Sequence, residues 1–129
     1  MAPRFLTLGI VETIHRNQVE HYGGSLGVRE PGGLESAIAQ AEASFGGEYL
    51  HAFPFEMAAA YLFHLVQNHP FIDGNKRVGA MAAFVFLQIN GYDLRADEDA
   101  FEAHTMAVAQ GQTDKPQIAA FLQQHSVAL

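Results

Sequence analysis

The residues best suited to chemistry stand together in one short segment, HPFIDGNKR, which runs from His69 to Arg77. The imidazole of His69 can accept a proton near neutral pH. Asp73 supplies a carboxylate of the kind that binds Mg²⁺, and Lys76 and Arg77 supply two adjacent positive charges. Phosphoryl and nucleotidyl transfer require these groups, because such reactions depend mostly on positioning and on neutralising charge.

The segment also predicts how two helices meet. Pro70 disfavours helical geometry at His69, so the helix before it should end near Asn68. A loop would follow, held in the core by Phe71 and Ile72. Asp73 is then placed to cap the next helix.

The first turn of that next helix, Gly74 to Arg77, is predicted to be an anion site. Backbone N–H groups at a helix start lack intrahelical partners and attract anions, and Gly74 lets a ligand approach the backbone closely. Lys76 and Arg77 oppose the helix dipole, which prefers acidic residues there. A bound polyphosphate would turn this unfavourable placement into a favourable one.

Each of these residues also has an ordinary interpretation when it is taken alone. A histidine before a proline is commonly a turn or core residue, an aspartate here a helix cap, and a Lys–Arg pair part of a solvated surface. Their density at the start of the most apolar helix in the chain favours a functional site.

Turns marked by glycine and proline divide the chain into about six helices. Their predicted ranges are Leu8 to Tyr22, Leu34 to Ser44, Phe55 to Asn68, Val78 to Ile89, Glu98 to Gln110 and Lys115 to Gln124. The fourth is apolar on every face except Gln88, which is typical of a buried helix. A strand over Phe84 to Leu87 competes weakly, since the length and the alanines favour a helix. The predicted fold is all-α, a compact bundle around this buried central helix, in a single domain over residues 1–129.

Composition excludes several classes of function. The net charge is −7 and the seven Lys and Arg residues are scattered except for one adjacent pair, so binding to nucleic acid or to an anionic membrane is not expected. Cysteine is absent, which excludes disulfides and is compatible with a cytoplasmic location. The N-terminal residues do not have the pattern of a signal peptide.

The segment HPFIDGNKR resembles the signature of the Fic/Doc superfamily at all nine positions. HYGGSLGVREPGGLESAIAQA before it and FLQINGYDL after it resemble the death-on-curing branch, so the resemblance covers nearly the whole chain. It implies the Fic/Doc fold and the toxin of a type II toxin–antitoxin module, inhibited by a separate antitoxin. The best-known member of the branch phosphorylates a threonine of elongation factor Tu. The resemblance therefore implies phosphoryl transfer from ATP with Mg²⁺, and inhibition of translation.

The resemblance also implies a role for each residue of the motif. His69 would be the general base that activates the target hydroxyl, and Asp73 would coordinate Mg²⁺. Four residues would bind the nucleotide phosphates, through backbone N–H groups or side chains: Gly74, Asn75, Lys76 and Arg77. Two would shape and anchor the loop: Pro70 and Phe71.

Two departures from the nucleotidylating pattern bear on the reaction. Lys76 stands where adenylylating members usually have glycine, and Ala80 stands where they often have another arginine. Both favour a kinase, with a nucleotidyl transferase as the alternative and a non-catalytic binding module as a third hypothesis. Ser44 to Glu48 matches part of an inhibitory helix by chance, and Arg29 is a candidate for contact with a target.

Overall fold

The computed structural model describes residues 2–129, which contain six α-helices and four short strands. The helices are α1 (Leu8–Tyr22), α2 (Pro31–Ala41), α3 (Phe55–Asn68), α4 (Asn75–Ile89), α5 (Glu98–Ala109) and α6 (Lys115–Gln124). The strands form two antiparallel pairs, β1 (Ser44–Phe45) with β2 (Glu48–Tyr49) and β3 (Tyr92–Leu94) with β4 (Ser126–Ala128). The predicted all-α class and the six helices are confirmed. None of these helices is long and apolar enough to cross a membrane.

The largest error in the predicted boundaries concerns α2, which begins at Pro31 and ends at Ala41. Proline suits the first helical position because its missing N–H would have no partner there. The residues Ser44–Tyr49 form a hairpin through two glycines with positive φ. The match of Ser44 to Glu48 to an inhibitory helix was therefore a chance one, as predicted.

Two helices share the centre of the bundle. Eight residues of α3 are buried, compared with seven of α4, so α3 is at least as central as the helix that the sequence placed there. Met81 and Phe84 of α4 are only partly buried. The uncovered side of α4 forms part of a groove described below.

The two central helices approach each other closely at Gly79. A β-carbon at this position would lie 2.8 Å from Cγ2 of Val66 and 3.2 Å from the carbonyl oxygen of Leu62. Both are α3 residues, and the second atom belongs to the backbone. Glycine therefore allows a spacing between α3 and α4 that any side chain would increase.

His64 lies on α3 but belongs to a contact with α6. Its Nε2 is 3.0 Å from Nζ of Lys115, whose ammonium donates to the neutral ring. Burial, together with the positive charge of Lys115, lowers the pKa of His64 to about 4. His64 therefore faces α6 and does not belong to the segment His69–Arg77.

We expect the thermal stability of the chain to fall as the pH drops from about 6.5 towards 4. In this window the unfolded chain, with an ordinary histidine pKa of ~6.5, binds protons that folded His64 excludes. The contribution of neutral His64 to the free energy of unfolding is therefore fully present above about pH 6.5 and is lost with acidification. Melting temperatures across the window measure the effect.

The control variant is His64→Gln, which cannot titrate. Burial also lowers the pKa of His51 and His104, so a smaller loss should remain in this variant. If His64→Gln loses as much thermal stability as the wild type over this pH range, the whole effect comes from other groups.

Candidate functional site

The segment His69–Arg77 connects α3 to α4, and the structure brings its charged and polar residues around one small pocket. The pocket has a volume of about 150 Å³. It is lined by His69, Asp73, Gly74, Asn75, Lys76 and Arg77. The helix before the segment ends at Asn68, as predicted from the proline.

The loop between the two helices is anchored as expected at two residues and not at a third. Phe71 is 1% exposed and Pro70 is buried. Ile72, which was also expected to lie in the core, is 55% exposed. The first half of the loop is therefore buried in the core, whereas the side chain of Ile72 is largely exposed.

His69 has a backbone conformation that is rare for a residue with a side chain. Its φ of 51° and ψ of 49° place it in the left-handed region, at a cost of roughly 1–2 kcal/mol for an L-residue. This conformation ends α3 and turns the chain into the loop, and the imidazole is exposed at the pocket. Such strain persists only where surrounding contacts fix it.

Asn75 provides one set of those contacts. Its side chain is 4% exposed. Oδ1 accepts from the N–H of Phe71 at 2.9 Å, and Nδ2 donates to the carbonyl oxygen of Phe71 at 2.9 Å and to Nδ1 of His69 at 3.1 Å. The two bonds to Phe71 fix the orientation of the amide. Nδ1 of His69 is therefore the acceptor, and the neutral ring carries its proton on Nε2.

A second set of contacts comes from the segment Gly27–Glu30, which runs antiparallel to the loop. The N–H groups of Arg29 and Glu30 donate to the carbonyl oxygen of Pro70 at 2.8 and 3.0 Å. The Arg29 guanidinium donates through Nη2 to the carbonyl oxygen of His69 at 2.7 Å. Arg29 was a candidate for contact with a target, and the structure gives it a contact within the site.

His15 of α1 provides a third contact, which the sequence interpretation missed. The residue is 4% exposed, its ring stacks on Phe71 with centroids 4.0 Å apart, and its Nε2 donates to the carbonyl oxygen of Asp73 at 2.9 Å. A signal was present, because His15 directly follows the buried Ile14 on the face of α1 that contains Val11.

Asp73 does not cap α4, contrary to the prediction. Gly74 occupies the cap position with a φ of 80°, and α4 has no side-chain cap. This left-handed turn leaves Oδ1 of Asp73 bonded to the N–H of Gly74 itself at 2.8 Å. The N–H groups of the first turn are thus left for another acceptor, which suits an anion.

The arrangement of Asp73 fits a single protein ligand for Mg²⁺. The carboxylate is exposed, and Oδ2 has only a long contact of 3.4 Å, with the N–H of Ser25. Mg²⁺ usually takes one or two carboxylates and completes its shell with phosphate oxygens and water. One available carboxylate oxygen beside an anion site meets that requirement.

Lys76 and Arg77 are both exposed and, within residues 2–129, neither forms an ion pair. The Arg77 guanidinium lies 5.2 Å from the centroid of the Tyr22 ring. Both residues also line one end of a groove of about 720 Å³ between α1, α4 and α5. Its other lining includes Met81, Phe84, Phe101 and Met106. The two cations therefore border both the small polar pocket and a larger apolar surface.

Comparison with models of protein families matches residues 5–87 to the family described as Fic/DOC. The chain is 41% identical over 103 residues to "Toxin Doc" of Mycolicibacterium smegmatis, covering 78% of this chain and 79% of that protein. It is 35% identical over 78 residues to "Protein kinase doc" of Escherichia phage P1, covering 60% of this chain and 61% of that protein. The family match includes the whole segment His69–Arg77.

Proposed function

The chain belongs to the Fic/DOC family, and from that premise we propose that it is the toxin of a toxin–antitoxin module and phosphorylates a protein hydroxyl with ATP and Mg²⁺. The names of the two relatives, a toxin and a protein kinase, support this proposal. The observation that carries it is the pocket in which an imidazole faces a helix start bearing two cations that form no ion pair within residues 2–129. A proton acceptor beside an anion site is what transfer of a phosphoryl group requires.

The phosphates of ATP would bind to the first turn of α4. Its N–H groups and the side chains of Lys76 and Arg77 would neutralise the negative charge and hold the γ-phosphate near His69. Asp73 would hold Mg²⁺, which neutralises further charge on the phosphates when it is bound.

His69 would take the proton of the target hydroxyl as its oxygen bonds to the γ-phosphorus. The bond from that phosphorus to the oxygen bridging to the β-phosphate breaks, and ADP leaves with that oxygen. The proton on the imidazole is later released to solvent. The reaction therefore consumes ATP and a protein hydroxyl and yields ADP, a phosphoprotein and a proton.

The ring of His69 must first move its own proton. Nε2 can act as the base only when Nδ1 carries the ring hydrogen, and the contact from Asn75 favours the opposite tautomer. A bound phosphate that accepts the Asn75 N–H now bonded to Nδ1 would make the expected phosphate contact of Asn75. The same exchange would free Nδ1 of His69 to take up the ring proton.

The proposed target is a threonine of elongation factor Tu, and the proposed partner is an antitoxin encoded beside this chain. Incubation of the purified chain with elongation factor Tu should transfer label from γ-labelled but not α-labelled ATP, with a mass gain of one phosphate. Transfer of α-label would instead establish the alternative, a nucleotidyl transferase. The antitoxin should suppress labelling of the target by covering the groove beside Lys76 and Arg77, and it should weaken ATP binding as well. If it suppresses labelling and leaves ATP binding unchanged, the antitoxin binds at another surface.

Replacement of Lys76 by glycine should shift the product from phosphate towards AMP. The change removes bulk and charge at the position where adenylylating members have glycine, which opens another placement of the phosphates. Intact mass of the target protein after reaction measures the ratio of the two products. Lys76→Arg keeps both bulk and charge and should keep phosphate as the product. If Lys76→Gly binds ATP but transfers nothing, Lys76 does not select the reaction.

A further inference from the structure

We propose that Arg29 is a positioning residue for the transfer reaction, because it holds the main chain of His69 in the left-handed conformation that presents the imidazole to the pocket. The inference rests on the proposed role of His69 in transfer. Arg29 does not line the pocket, so it would act through His69 and not on the substrates.

The first argument is the geometry of the contact. Nη2 of Arg29 is 2.7 Å from the carbonyl oxygen of His69, which is the short length of a hydrogen bond from a charged donor. The bond joins the peptide group that leaves His69, and the orientation of that group depends on the unusual ψ of this residue. A donor fixed at this oxygen therefore resists relaxation of His69 to an ordinary backbone conformation.

The second argument is that the donor is itself fixed. The N–H of Arg29 bonds to the carbonyl oxygen of Pro70 at 2.8 Å, and its neighbour Val28 pairs with Phe71. The backbone of Arg29 is thus in register with the loop that it supports. Although the guanidinium is exposed, it forms no ion pair with any carboxylate of residues 2–129, so no acidic side chain competes for it.

The third argument is that the contact from Asn75 to His69 cannot hold the backbone of His69. Asn75 holds the ring through Nδ1 and makes no bond to the backbone of His69. The ring and the main chain therefore have separate supports. Loss of Arg29 should leave the bond from Asn75 to the ring in place but let the backbone of His69 move.

The test compares Arg29→Ala with Arg95→Ala, which removes an exposed arginine that pairs with partly buried Asp93 outside the pocket. Arg29→Ala should lower kcat on the order of 10- to 100-fold, the scale expected for a misplacement of about 1 Å, with KM for ATP and for the target changed by less than about threefold. Arg29→Lys retains a charged donor and should recover much of the rate, and added guanidinium ion should partly rescue Arg29→Ala. Arg95→Ala should match the wild type.

A second readout does not depend on activity. In ¹⁵N-labelled protein without ATP, the imidazole signals of His69, assigned with His69→Gln, should shift in Arg29→Ala and not in Arg95→Ala. A lower rate with a raised KM for the target and unchanged His69 signals would overturn the proposal and make Arg29 a target contact. Unchanged kinetics and unchanged signals would also overturn it. If the wild type transfers no phosphate, the proposed function fails, while the signals still decide whether Arg29 positions His69.

Discussion

Replacement of His69 by alanine should lower the rate of phosphate transfer by about 10²- to 10⁴-fold, the usual contribution of a general base. The target hydroxyl would then lose its general base, because Asp73, the carboxylate of the pocket, would be occupied by Mg²⁺. ATP binding should persist, because the N–H groups of α4 and the two cations remain. Label transfer from γ-labelled ATP measures the rate, and a separate titration measures ATP affinity.

The matched control is His21→Ala. His21 is also an exposed histidine, and its ring bonds only to a carbonyl oxygen of its own helix, that of Asn17. This variant should keep the full rate and the toxicity of the wild type in cells. Toxicity that survives His69→Ala would contradict the catalytic role and revive the hypothesis of a binding module.

Replacement of Gly79 by valine should lower the free energy of unfolding by about 3 kcal/mol, at the upper end of what overpacking costs. The new side chain would meet Val66 and the backbone of Leu62 at distances shorter than van der Waals contact. The Leu62 carbonyl is backbone and cannot move aside without parting α3 from α4. Chemical denaturation of both proteins measures the difference.

The control is Gly32→Val in α2, where a β-carbon has nothing within 4 Å. Valine is the better helix former, so this change should be neutral or stabilising by about 0.5 kcal/mol. If Gly79→Val is as stable as Gly32→Val, the two central helices can separate at no cost, and their spacing does not depend on glycine.

The helices could be predicted because their limits are set by local chemistry. Proline at 70 ended α3, and the long apolar segment after the motif formed α4. The four strands could not be predicted, since each has only two or three residues, too few to show alternation. The boundary of α2 was misplaced because Pro31 was taken to precede the helix and in fact begins it.

The pocket could be predicted because its lining comes from consecutive residues of one motif. The residues that support it could not, because they come from distant parts of the chain. Arg29 is 40 residues from His69, and His15 is 58 residues from Asp73. No local pattern connects such pairs. The error over Asp73 has a different cause. Gly74, with its positive φ, occupies the cap position itself, and the carboxylate of Asp73 bonds to the N–H of Gly74.

The bond from Asn75 to His69 has a consequence for the pocket before any phosphate is bound. With the proton on Nε2, the imidazole cannot activate a water molecule that enters the pocket. Under the proposed function, the imidazole would become a base only after a bound phosphate accepts the Asn75 N–H that now bonds to Nδ1. Asn75 would then make formation of the base depend on nucleotide binding, whether or not a target protein is present.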